Sequence, residues 1–280
     1  MMNQFKTLIL LAVLTALLLF VGSFFGTGGL ITAAIFAVLM NFGAYWFSDK
    51  IVLLMYKAKE ANKSEYSDMY KLVKEVADDA NLPMPKLYVV PSEQANAFAT
   101  GRNEKHAVVA FTKGILSLLN KEELKGVIAH EMSHIKNKDI LITTVAATIA
   151  GVISYLAAMA RWGAIFGGGR DEDRGNNIIS LLIIGILTPI IAMLIQLAIS
   201  RSREYFADES GARTIKNPTA LASALEKLEK SAQKNPMRLG TQATSSLFIV
   251  NPFSVKSMLG LFSTHPPMEE RIRRLRAMRV

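Results

Sequence analysis

No cysteine occurs in the 280 residues. Disulfide scaffolding, thiolate metal ligation and a cysteine nucleophile are therefore excluded, and any metal has to be held by His, Asp or Glu. Histidine is scarce too, with four in the chain, at His106, His130, His134 and His265. Charge is absent from four long stretches. The chain is 51% hydrophobic and 20% charged, a balance that excludes disorder and collagen-like repetition.

Residues 7–48 contain no charged side chain and are interrupted only by Gly26-Thr27-Gly28-Gly29, which predicts two spanning helices, 7–25 and 30–48, joined by a tight turn. At 1.5 Å per residue each reaches roughly 28 Å, close to the hydrocarbon thickness of a bilayer. A cleaved signal peptide is the competing reading of the first run, but no A-x-A-like site precedes a polar start and a second span follows directly. Residues 140–160 and 178–199 are also uncharged and of spanning length, separated by the polar, glycine-rich stretch 161–177. Thr143, Thr144, Thr148, Pro189 and Gln196 suggest that these two helices pack on each other rather than facing only lipid. A hairpin buried in a soluble protein is the alternative.

Lys50, Lys57 and Lys59 follow the second run and Arg201 and Arg203 follow the fourth, whereas the first connection carries no positive charge. That asymmetry predicts a multi-pass protein of the cell inner membrane with its N-terminus and both polar segments cytoplasmic. The chain then divides into a transmembrane hairpin (1–48), a polar segment (49–139), a second hairpin (140–199) and a polar C-terminal segment (200–280). Residues 200–280 carry 14 basic and 7 acidic side chains, the main source of the +9 net charge. Without a recognition motif or aromatic-basic interleaving this points to the lipid bilayer and its anionic headgroups, and to no nucleic acid.

Within 49–139, Met69, Leu72, Val73 and Val76 recur at helical spacing and predict a helix over 67–80 that stops before Asn81-Leu82-Pro83. Segments 86–90, 95–100 and 107–111 read as short strands, the last two joined by the turn 101–104. Asn120 with Glu123 forms a capping-box pattern opening a helix to about Lys138. Asn217 and Pro218 open a scaffold helix over 218–232, and a final helix is expected over 268–278.

The helix over 120–138 carries His130-Glu131-Met132-Ser133-His134. Residues four apart lie one turn apart on one face, so both imidazoles can approach one metal while Glu131 reaches a water beside it. A catalytic zinc site needs a third protein ligand. No further histidine follows at short spacing, against the metzincin pattern. Glu204 is the best candidate on position: the third run opens six residues after His134 and the fourth closes five residues before Glu204, which puts both on one side of a membrane. The alternative for Glu204 is an exposed carboxylate paired with Arg201 or Arg203.

The stretch from His130 through Asp139, the downstream Ser200-Arg201 with Glu204-Tyr205-Phe206-Ala207-Asp208, the segment Asn96-Ala97-Phe98-Ala99 and Thr264-His265-Pro266-Pro267 together resemble the HtpX membrane metalloproteases, relatives of the type I CAAX prenyl proteases. The resemblance extends over nearly the whole chain, with four separated motifs in the family's order. It implies zinc-dependent proteolysis in membrane-protein quality control, with unfolded or damaged membrane proteins as substrates, one Zn2+ per chain held by His130, His134 and Glu204, and Glu131 as catalytic base. The expected fold class is a predominantly α-helical integral membrane protein of four spans, with a small β-sheet in a cytoplasmic, zincin-like α+β catalytic domain.

Three further positions follow from the same reasoning. Asp208, a turn beyond Glu204, either orients a ligand imidazole through its second nitrogen or is a plain helix-surface acid. Asn96, Ala97, Phe98 and Ala99 resemble the edge strand on which such enzymes lay an extended substrate. His265 either donates to the tetrahedral oxyanion or caps the final helix. His106 is expected at the surface, and Arg271, Arg273, Arg274, Arg276 and Arg279 as a solvated helix face. A proteolytically silent chaperone would have no need of Glu131, and a zinc transporter would put ionisable ligands inside the spans, where there are none.

Overall fold

The computed structural model describes residues 2–23, 26–151, 153, 201–237, 239–240, 242–253 and 266–280. The fourth predicted span, the stretch 161–177, most of 152–160 and His265 lie outside the described residues. The first two apolar runs form α1 (Met2–Ser23) and α2 (Gly26–Trp46). α1 opens ahead of Lys6 rather than at Thr7. α2 starts at Gly26, with φ +70°, so Gly26-Thr27-Gly28-Gly29 is its first turn and not a separate connection. The two pack as an antiparallel pair, with Leu10 and Leu14 near Ala44 and the Asn41 amide donating to Thr15 Oγ1 at 2.7 Å. Among the described residues α2 alone has the length and hydropathy to cross a bilayer, with Phe5–Phe20 and Ile140–Gly151 as shorter apolar helices.

After α3 (Ser48–Met55) the polar segment builds a four-stranded mixed sheet in the order β1-β2-β4-β3. β1 (Lys59–Glu60), too short to be legible in sequence, pairs antiparallel with β2 (Lys86–Val90). β2 runs parallel to β4 (Ala107–Thr112), and β3 (Ala97–Gly101) runs antiparallel to β4 at the sheet's edge. Side chains alternate between two cores. Leu87, Val89, Ala97, Ala99, Val109 and Phe111 face the larger one, whereas Val90, Phe98, Val108 and Ala110 face Val52, Leu53, Tyr56 and Phe248. Both faces being covered explains why these strands are apolar throughout and not alternating.

On the larger core lie α4 (Ser67–Asp79), α6 (Lys121–Lys136), α8 (Arg201–Ile215), α9 (Pro218–Lys234) and α10 (Met268–Ala277), with α5 (Lys113–Leu118) leading from β4. The capping box predicted for α6 is present in both halves. Its Glu123 also accepts from Ser223 Oγ at 2.6 Å and Lys227 Nζ at 2.8 Å, tying α6 to α9. α7 (Ile140–Gly151) is buried at Ile140, Ile142, Val145, Ala146, Ala147, Ile149 and Ala150, with Val145, Ala146 and Ile149 clustered with Leu10, Leu14 and Ala44 of α1 and α2; the expected packing on the fourth run lies outside the described residues.

Two glycines let α6 be approached closely from two sides. A Cβ at Gly126 would stand 2.9 Å from the Leu221 Cα of α9, and one at Gly211 of α8 would stand 2.8 Å from the His130 amide nitrogen and 2.9 Å from the Ala129 carbonyl carbon. Because these neighbours are backbone, they cannot rotate away. Gly211→Ala is expected to lower stability by about 1–3 kcal/mol through overpacking, read as a fall in Tm. Gly28→Ala, whose Cβ meets nothing within 4 Å, should leave Tm essentially unchanged.

Candidate metal centre

α6 ends in a turn that shapes the site. Lys138 adopts a left-handed φ of +58°; its amide bonds the Ile135 carbonyl (3.1 Å) and that of Asp139 bonds the His134 carbonyl (2.9 Å). This is a Schellman-type cap formed without glycine, and it ends the helix at Lys136, two residues before the predicted boundary. The reversal folds Asp139 back until its Oδ2 lies 3.2 Å from Nδ1 of His134.

On the other histidine, Nδ1 of His130 lies 2.9 Å from Oδ1 of Asp208. Both outer nitrogens therefore face carboxylates, which favours the Nδ1–H tautomer of each ring in its neutral form and leaves its Nε2 as a lone-pair acceptor. Those Nε2 atoms are 3.2 Å apart. Glu204 joins them from α8, with Oε2 3.6 Å from His130 Nε2 and Oε1 3.6 Å from His134 Nε2. His130, His134 and Glu204 each offer a ligand atom within 4.8 Å of the others, and converging lone pairs in a buried setting are what a divalent cation neutralises. The donor set fits a metal.

Glu131 lies beside the three and is buried. Burial pushes its carboxyl up to about 7, against the pull of His134 and of the Ala99 amide that donates to it. Burial pulls His134 down, but the hydrogen bond to Asp139 and the charges of Glu204 and Glu131 outweigh it, so this imidazole rises to about 9 when no cation is bound. Burial alone would raise Asp208; the Arg271 guanidinium and His130 hold it below the usual carboxylate range instead.

Arg271 corrects the expectation of a solvated arginine face. It is fully buried, its Nε and Nη2 each 2.7 Å from Asp208 Oδ2 and Oδ1, its Nη1 2.8 Å from the Ile249 carbonyl and 3.7 Å from Glu204 Oε2. Arg273, Arg274 and Arg276 do face outward, on Glu270 and Glu226, and Arg279 is exposed. The missed signal was helical spacing: Met268, Arg271, Ile272 and Leu275 form the buried stripe of α10. Asp139 was missed because its approach depends on the Lys138 turn.

Asn96 to Ala99 lie at and just before β3, the last strand in the sheet order, but all four are buried and that edge is partly occupied. The Asn96 side chain is buried, donating to the Val250 carbonyl at 2.7 Å and accepting from the Ala97 amide at 3.1 Å. The outward carbonyl of Ala97 accepts from the Ile249 amide at 3.2 Å. Phe98 stacks edge-on with Phe248 and lies tilted against Tyr56. His106 is at the surface as expected, bonded to Asn103 and Arg102.

A histidine raised to about 9 carries a proton at pH 7 that ligation has to displace. Titrating the metal-free protein with zinc at pH 7 in buffers of different ionisation enthalpy should therefore report release of about one proton or more per ion. Buffer-independent heats would contradict the His134 assignment.

A profile described as "Peptidase family M48" matches residues 63–279. Curated relatives bearing the name "Protease HtpX homolog" include one from Syntrophobacter fumaroxidans, 53% identical over 280 residues and covering 99% of both chains. Another, from Thermodesulfovibrio yellowstonii, is 55% identical, again over 99% of both. A third, from Thermococcus kodakarensis, is 54% identical over 97% of this chain and 94% of its own. The crystal structure of S. mikatae Ste24p shares the fold at 20% identity and a TM-score of 0.52, covering 98% of this chain, which spans 65% of that longer one. Sequence kinship of this extent, over a helix that brings two histidines and a glutamate together, makes this chain a metalloprotease belonging to peptidase family M48.

Proposed function

We propose that the protein is a zinc-dependent endopeptidase of four membrane spans, 7–25, 30–48, 140–160 and 178–199, whose polar segments 49–139 and 200–280 form one cytoplasmic active site. Its substrates are misfolded or damaged membrane proteins. The observation that carries this reading is the convergence of His130, His134 and Glu204 beside Glu131, with His134 six residues before α7 begins. Two helices so placed reach one ion only if both polar segments lie on one side of the bilayer.

His130, His134 and Glu204 would hold the ion. Zinc bound there would polarise the scissile carbonyl and acidify the attacking water. Glu131 takes the proton from that water at its carboxylate and returns it to the leaving amine. Asp208 and Asp139 hold the two imidazoles in their ligating tautomers, and Arg271 keeps Asp208 ionised. The substrate backbone adds along the outer edge of β3 at the Ala99 carbonyl, because the Ala97 carbonyl already takes the Ile249 amide, the Ala97 amide donates to Asn96 Oδ1 and the Ala99 amide donates to Glu131. Asn96 shapes that edge through Val250, and His265 donates to the developing oxyanion.

Glu131→Ala is expected to retain stoichiometric zinc and to lose cleavage by about 10²–10⁴-fold, measured on an unfolded membrane substrate beside metal analysis. Glu204→Ala should lose zinc occupancy itself; unchanged metal content would remove Glu204 from the site.

A further inference from the structure

We propose that α3 and the tip of the β3–β4 hairpin form a collar that binds the bilayer interface, taking phospholipid headgroups on its cations and upper acyl chains on its apolar side chains. This rests on the reading of α2 and α7 as spans. The helical path breaks at Phe47, with φ −123° and ψ 8°, and α3 then carries two apolar stripes. Ser48, Val52, Leu53 and Tyr56 are buried against the sheet side. On the other side Phe47 and Leu54 are exposed, Leu54 at 79%, with Ile51 half-buried between them and Lys50 and Lys57 alongside. A short helix apolar on both sides suits a position between protein and lipid, and water offers nothing to the outer stripe.

α3 is seated against the proposed span α7. Thr148 Oγ1 donates to the Ser48 carbonyl at 3.4 Å, and a Cβ at Gly151 would stand 2.7 Å from Cε of Met55. Contacts at both ends of α3 hold this short helix beside α7.

Aromatic rings and cations complete the surface. Trp46 packs with Tyr45 and Phe42, and Phe42 with Phe47, at centroid distances of 5.4–6.1 Å. Lys50 Nζ stands 5.3 Å from the Phe47 centroid, and the Arg102 guanidinium carbon, from the hairpin tip, 4.6 Å from that of Trp46. Asp49 is turned onto the Lys50 amide, and among the described residues none of Lys50, Lys57 and Arg102 is paired with a carboxylate. Stacked cations keep donors for phosphate oxygens at the depth where tryptophan and tyrosine gather. Because Arg102 follows β3 directly, the collar holds the proposed substrate edge at headgroup level.

The absence of cysteine makes the test direct. Leu54→Cys, and Lys71→Cys on α4 as a water-exposed control with a side chain 78% exposed, are spin-labelled in the full zinc-loaded protein. Both are reconstituted in phosphatidylcholine–phosphatidylglycerol vesicles. Collision with oxygen, which partitions into acyl chains, is compared with collision with a water-soluble nickel chelate. Position 54 should show an oxygen-to-nickel ratio several times that at position 71, and Lys50→Gln with Arg102→Gln should lower it. Equal ratios in protein that resists carbonate extraction overturn the collar and leave the spans standing; extraction by carbonate overturns the membrane reading itself. Shielding of position 54 in detergent that grows with protein concentration, with spin–spin broadening, would assign the surface to a second copy and overturn the proposal.

Discussion

The rest of the structure depends on two imidazole nitrogens and a carboxylate being held face to face inside the protein. His130 Nε2 and His134 Nε2 stand 3.2 Å apart, each 3.6 Å from an oxygen of Glu204, and Asp208 and Asp139 engage the opposite side of each ring. When both imidazoles are neutral, with their protons on those outer nitrogens, lone pairs converge where water is largely excluded, and a cation is what lowers the energy of such an arrangement. Removing the outer carboxylates would let the rings choose the other tautomer or turn away. Arg271 in turn compensates the negative charge of Asp208 and satisfies the Ile249 carbonyl, so no member of the chain of contacts stands alone in the low-dielectric interior.

That arrangement exists because α8 can come close to α6. Gly211 removes the side chain that would meet the backbone at Ala129 and His130, and Gly126 does the same for α9. α6 is meanwhile pinned at both ends, by the capping box with its Glu123 links to Ser223 and Lys227, and by the reversal at Lys138. β3 is referenced to the same elements: the Ala99 amide meets Glu131, and the Thr100 hydroxyl lies 3.0 Å from that of Thr144 on α7. The proposed base, the candidate ligands and the sheet edge thus share one frame at the foot of an apolar helix, which suits the proposed hydrolysis of chains close to a membrane.

Much of this was legible in sequence because it is local. The helices over 67–79, 121–136 and 218–234 follow from apolar periodicity and from side-chain caps at Asn120 and Asn217, interactions within four residues of one another. The pairing of His130 with His134 follows from helix pitch alone. Boundaries were less legible where backbone bonds override composition: Gly26 and its neighbours continue α2, and Lys138 adopts a conformation usually left to glycine. Asn96 looked like part of an open strand edge, yet its partner Val250 is 154 residues away, a separation no periodicity reports.

By itself the sequence determined the motif helix, its caps, the apolar runs and the types of side chain available to a metal, since these depend on spacing along one element and on composition. Only the tertiary structure decided that Arg271 is buried on Asp208 rather than solvated, that Asp139 turns back to His134, and that Ile249 occupies the Ala97 carbonyl. The physical reason is that a charged side chain's environment is set by what packs over it. For Arg271 that means α8 and the segment around Ile249, which lie 63 and 22 residues away along the chain.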